Sequence, residues 1–151
     1  MTTIVEIDPG RPGEDTDPRR TAVADLPNEV DHRLARHAIE DIPPSDALLL
    51  AIEALLEVAQ LHADLHSSVL PLSALDLATF DDHLLEPLIR RGQAEGAWAS
   101  APSAASLALS LRSLIAGLLP IARSHQQEPW ATARTIQTLF TEAAANAGRE
   151  P

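Results

Sequence analysis

The chain has no cysteine and no lysine, and its aromatic residues are only Phe80, Phe140, Trp98 and Trp130. Each absence excludes something. Without cysteine there is no disulfide framework, no thiolate nucleophile and no thiolate metal site. Without lysine the fixed positive charge is arginine alone, 11 basic residues against 22 acidic ones, for a net charge of −11. General nucleic-acid binding needs a concentrated positive surface to meet phosphates, and this chain lacks one. Its only basic doublets, Arg19–Arg20 and Arg90–Arg91, lie close to acidic residues. Long apolar runs are missing too. The longest uncharged stretch, Gly96 to Leu111, is 16 residues and contains serine and proline. A bilayer span needs about 20 mostly apolar residues, so no membrane partner is expected. The opening Met-Thr-Thr-Ile-Val-Glu-Ile-Asp has neither a basic region nor an apolar core, which speaks against a signal peptide and for the cytoplasm.

What is present is alanine and leucine. Ala (26) and Leu (23) dominate the hydrophobic residues, while Val and Ile together number 14. The first two favour helices, and the residues that favour strands are scarce. The composition resembles what high-GC bacterial genomes encode. An all-α fold follows, with a closely packed aliphatic core.

Proline and glycine punctuate the chain. Residues 1–24 read as a disordered acidic tail, because Asp8 to Arg20 offers little to bury and so nothing to offset the entropy of ordering. Residues 25–148 read as one domain, a bundle of about five helices. The first, 27–42, opens at Pro27 and stops at Pro43–Pro44, with Val30, Leu34 and Ala38 as its apolar stripe and Glu29/Arg33 and Arg36/Glu40 spaced to pair. The second, 45–70, is capped by Ser45 and stopped by Pro71. A third, 73–91, is broken near Pro87, which lacks a donor, with the kink or break expected around Phe80 to Asp82. Gly92 to Ser103 reads as a loop, 103–122 as the fourth helix and 129–147 as the fifth.

Two helices carry unusual faces. On the second, Leu48, Ala51, Ile52, Leu55, Val58 and Ala59 share one side, with Glu53, Glu57, Gln60 and Asp64 opposite. His62 and His66 fall on the apolar side, one turn apart. Imidazoles at that spacing can share a divalent metal. Asp81 shares a side with Leu77, Leu84 and Leu88, and with the two histidines would form a two-His, one-carboxylate set for zinc or iron, with His37, Glu29 or His32 as further ligands. The zinc-protease and di-iron spacings are both missing. An imidazole bonded to a carbonyl or carboxylate at the end of an apolar face explains the pair equally simply.

On the fourth helix, Leu107, Leu111, Leu114 and Leu118 form one stripe, and Ser106, Ser110, Ser113 and Gly117 form a second made only of small residues. A helix apolar or small nearly all round is expected at the centre of a bundle, with the small stripe admitting another helix closely, from this chain or from a second copy. The fifth helix places Ala133, Ile136, Phe140, Ala143 and Ala147 on its inner side. Trp98 and Trp130 are expected to cap the core, and His83 and His125 to face water.

No phosphate-binding glycine loop or nucleophile elbow occurs, and none of the fourth-helix serines Ser106, Ser110 and Ser113 has a base beside it in sequence. Two functions remain. One is a non-enzymatic interaction or regulatory protein, self-associating as a homodimer through its fourth or fifth helix. The other is a small metal- or ligand-binding bundle, whether enzyme or binding protein, built on His62, His66 and Asp81.

Overall fold

The computed structural model describes the backbone of residues 18–65 and 81–147, and within them the side chains of 25–61 and 83–147. Five α-helices follow one another: α1 (Pro18–Leu34), α2 (Pro44–Leu65), α3 (Glu86–Ala94), α4 (Ala104–Ser124) and α5 (Pro129–Ala147), with a π-helical turn at Asp81–Leu85 leading into α3. The described residues contain no strand. The all-α bundle read from composition is the observed fold.

The elements differ from expectation in informative ways. α1 starts at Pro18, inside the segment expected as a tail, and passes through Pro27; residues 1–17 lie outside the described residues. Its buried stripe is Leu26, Val30 and Leu34, one turn earlier than the sequence suggested. Ala38 is exposed in a turn at φ +44. That left-handed residue turns the chain away from the helical path before Pro43 is reached. A tertiary contact holds the turn: the Arg91 guanidinium donates to the carbonyls of Ile39 (3.0 Å), Glu40 (3.2 Å) and Ile42 (2.8 Å). Ile39 and Ile42 meanwhile pack against the core. Charge-assisted bonds and apolar burial together outweigh the modest helix propensity of residues 35–42. Arg33 pairs with Glu57 of α2 at 2.7 Å, rather than along its own helix with Glu29.

α2 is the central helix. Ala47, Leu48, Ala51, Ile52, Ala54, Leu55, Leu56, Val58 and Ala59 are all buried, more than one face of a helix can hold, and α1, α3, α4 and α5 all pack on it. This corrects the expectation that the fourth helix would be central. α4 is as apolar as α2, but its neighbours among the described residues cover only one side.

Pro87 sits near the start of α3. It has no N–H, and its ring crowds the carbonyl four residues back, so a regular α-helix cannot lead into it unchanged. The π-helical turn is the local irregularity at that point. The expected helix at 73–80 lies outside the described residues. α3 runs on to Ala94, so Gly92, Gln93 and Ala94 are helical where a loop was expected. It closes with Gly96 at φ +80, Gly96 N–H bonded to Gln93 O (3.3 Å) and Ala97 N–H bonded to Gly92 O (2.7 Å), the Schellman arrangement in which glycine costs least. In α5 the inner side is Ala133, Ile136, Phe140 and Ala144; Ala143 and Ala147 are exposed.

Trp98 caps the core as expected, buried and edge-on to Phe140 at 5.6 Å between centroids and 80° between planes. Trp130 does not: it is 55% exposed. Both His83 and His125 face water.

Candidate interaction surface

α4 is bounded firmly at both ends. Ser103 precedes it in extended conformation, and its Oγ accepts the Ser106 N–H at 3.3 Å, satisfying one of the orphan donors of the first turn. At the other end Gln126 adopts φ +52, with Gln126 N–H bonded to Arg123 O (3.1 Å) and Gln127 N–H bonded to Ala122 O (2.9 Å). That is the same Schellman closure as in α3, with glutamine in the position glycine usually takes.

Between these caps one side of α4 is buried in the core: Ala104, Leu107, Ala108, Leu111, Ile115 and Leu119, with Ala122 beyond. Leu114 and Leu118, expected in the buried stripe, sit at its half-buried edge. The opposite side is open. Ser106, Ser110, Ser113 and Gly117 are all exposed, beside Leu109 at 49% and Ile121 at 54% exposure. A Cβ placed on Gly117 would meet nothing within 4 Å. The four small residues therefore do lie together, but no helix among the described residues covers them.

The chemistry of this face is muted. From Ala104 to Ser124 there is no Asp or Glu, in a chain of net charge −11. Its hydroxyls turn back onto their own helix. Ser110 Oγ donates to Ser106 O (3.1 Å), Ser113 Oγ donates to Leu109 O (2.9 Å), and Ser106 Oγ accepts from Ser103 Oγ (3.1 Å). Removing water from an unpaired donor costs about 1–3 kcal/mol, and the Ser110 and Ser113 donors already have partners. By length and composition α4 is the one helix among the described residues that could cross a bilayer, yet a third of its most apolar window is buried within the fold.

α5 offers a poorer surface. Arg134, Thr135, Thr138, Thr141 and Glu142 are exposed along it, interrupted by Trp130 and Leu139. Two clefts lie among the described residues. One of about 220 Å³ lies where Leu56 and Gln60 of α2 meet the α4–α5 turn. Its lining includes Thr132, the sole buried polar residue among those described, whose hydroxyl donates to Gln127 Oε1 at 3.2 Å. A smaller cleft of about 100 Å³ surrounds the Arg33–Glu57 pair.

The central residues read as metal ligands fall outside the described side chains. His62 lies on α2 and Asp81 opens the π-helical turn, but their side chains are outside the described ones, and so is the whole of His66. Glu29, His32 and His37 are exposed. Among the described residues no group of three His, Cys, Asp or Glu is placed to hold a metal. Exposed α4 is thus the feature with the most definite geometry. No family model, curated protein or solved structure matches this chain.

Proposed function

We propose that the protein is a non-enzymatic interaction module that self-associates as a homodimer, and that the surface it uses is the outer face of α4 rather than that of α5. The observation that carries this reading is the exposure of Leu109 and Ile121 on a helix face with no carboxylate. Leu109 and Ile121 lie about 18 Å apart along the helix, with the uncharged Ser110, Ser113 and Gly117 exposed between them, so the face as a whole is apolar or small. Two copies of a chain carrying −11 repel, and the repulsion is least where neither presents an acid. The paired hydroxyls of Ser110 and Ser113 remove a further obstacle to drying the face. An isologous dimer is also the commonest way for one patch to bury itself.

The test is the mass of the full chain in solution by multi-angle light scattering, for wild type and for the double variant Ser113→Glu/Gly117→Glu. Both sites are exposed, so the variant keeps its helical circular dichroism and melting temperature. The expected result is a dimer that becomes a monomer in the variant. Wild-type protein that stays monomeric up to about 0.1 mM, a weak-affinity limit, overturns the reading.

A further inference from the structure

The larger cleft, where α2 meets the α4–α5 turn, differs in chemistry from the outer face of α4. Its deep side is apolar, made by Leu56 of α2 with Leu119 and Ala122 of α4, all three buried. Its rim is polar. Gln60 of α2, Gln126 and Gln127 of the turn and Glu128 just before α5 line it, and Thr132 joins them from the first turn of α5. The volume is about 220 Å³, room for roughly seven waters at about 30 Å³ each.

Part of this polar lining is organised by the fold. Thr132 is 3% exposed, and its hydroxyl donates to Gln127 Oε1 at 3.2 Å. That bond fixes which way the carboxamide points, and Gln127 Nε2 keeps both its hydrogens for another partner. The Gln60 and Gln126 carboxamides have no side-chain partner among the described residues. Gln126 also holds φ +52, a conformation that glycine adopts at less cost. Glycine there would leave the cleft without its third carboxamide.

We infer that this cleft binds a small, neutral, polyhydroxylated molecule of about monosaccharide size. Charge sets the first limit. Arg123, the one cation of the lining, already has a partner in the fold, and Glu128 stands against an anion. No three metal-ligating groups are gathered among the described residues. Hydrogen bonding sets the second. Each carboxamide offers one acceptor and two donors, and Glu128 adds two acceptor oxygens. Donors and acceptors are thus mixed around one small cleft, and the hydroxyl is the group that answers both. A primary amide separates its donors from its acceptor and satisfies one glutamine at a time. Shape sets the third. No aromatic side chain lines the cleft, so nothing stacks on a flat heterocycle, whereas the carbon skeleton of a polyol can lie on Leu56, Leu119 and Ala122. The volume is also below the roughly 300–1,000 Å³ of sites for larger ligands.

The experiment is an amide-resolved NMR titration of the full chain with myo-inositol and D-glucose, with acetamide and sodium acetate as comparison probes. For so few atoms a dissociation constant of about 1–10 mM is expected. At least one of the two polyols should give saturable shifts at the Gln60, Gln127 and Thr132 amides. Gln60→Leu removes one carboxamide from a half-buried helical position and should leave the melting temperature unchanged while weakening binding about fivefold, the worth of one hydrogen bond. Thr132→Val removes the hydroxyl that orients Gln127 and should weaken binding similarly; a circular-dichroism melt reads its fold, and Gln60→Leu decides the matter if that variant does not fold. Failure of both polyols to saturate overturns the inference. So does saturable binding that Gln60→Leu leaves untouched, which places the ligand elsewhere. Acetamide or acetate saturating at lower concentration than either polyol overturns the assigned ligand class. These outcomes are independent of oligomeric state and leave the self-association reading where it stands.

Discussion

Gly92→Ala is the substitution that probes the fold most sharply. Gly92 is buried in α3 with the Trp98 ring laid against it, and an added methyl carbon would sit 2.0 Å from Trp98 Cζ3 and 2.1 Å from Cε3. The ring has little room to retreat. The ring also meets Phe140, and the loop carrying Trp98 is tied to the helix by the Ala97 N–H bond to Gly92 O at 2.7 Å. Gln93 Nε2 fastens the same loop through the carbonyls of Ala99 (2.9 Å) and Pro102 (2.8 Å). Overpacking of this kind costs about 1–3 kcal/mol, and expelling the indole instead costs about 3 kcal/mol. Alanine in a helix regains about 1 kcal/mol over glycine. The net expectation is a loss of about 2 kcal/mol, or a melting temperature lower by roughly 4–8 °C for a domain of this size. Thermal melts followed at 222 nm measure it. In a Trp130→Phe background the emission comes from Trp98 alone, and displacement of the ring shifts it to the red. The cause is isolated by a double-mutant cycle with Trp98→Leu, where Gly92→Ala should cost at least about 1 kcal/mol less than in wild type. A Gly92→Ala protein that melts at or above the wild-type temperature with unchanged emission would refute the reasoning.

Three further expectations test separate parts of the architecture. Gln126→Gly relieves a left-handed residue in the α4–α5 turn; the relief of about 1–2 kcal/mol is partly offset by glycine's freedom in the unfolded chain, leaving about 0.5 kcal/mol of added stability in denaturant titrations. Arg91→Met removes three bonds to the carbonyls of the 39–42 turn and should lower stability by about 2 kcal/mol, with hydrogen exchange at the Asp41 and Ala47 amides rising more than at the α5 amides. Glu57→Gln breaks the ion pair to Arg33, whose two side chains are each 37% exposed, so the loss should stay below about 1 kcal/mol and shrink further in 0.5 M salt; a larger loss would mean that the pair is shielded from solvent.

How much of this was legible in sequence varies from helix to helix. α5 matched its expected bounds because Pro129 at one end and the inward Ala133, Ile136 and Phe140 all point the same way. α1 was misplaced because Pro27 resembles a start signal, whereas Leu26, Val30 and Leu34 have the spacing that actually meets α2. The small stripe on α4 was legible residue by residue, but whether it is covered was not. His62, His66 and Asp81 share a pattern on paper, and a pattern of faces does not fix whether side chains on two elements converge.

Local chemistry determined the helical class, the Schellman end at Gly96 and the Ser103 cap, because each depends on neighbours within a few residues in the chain. Which helix stands at the centre was decided only in three dimensions. α2 and α4 are similarly apolar, and hydrophobicity has no direction: it demands burial without naming the partner. Among the described residues the bundle surrounds α2 and leaves the outer side of α4 open.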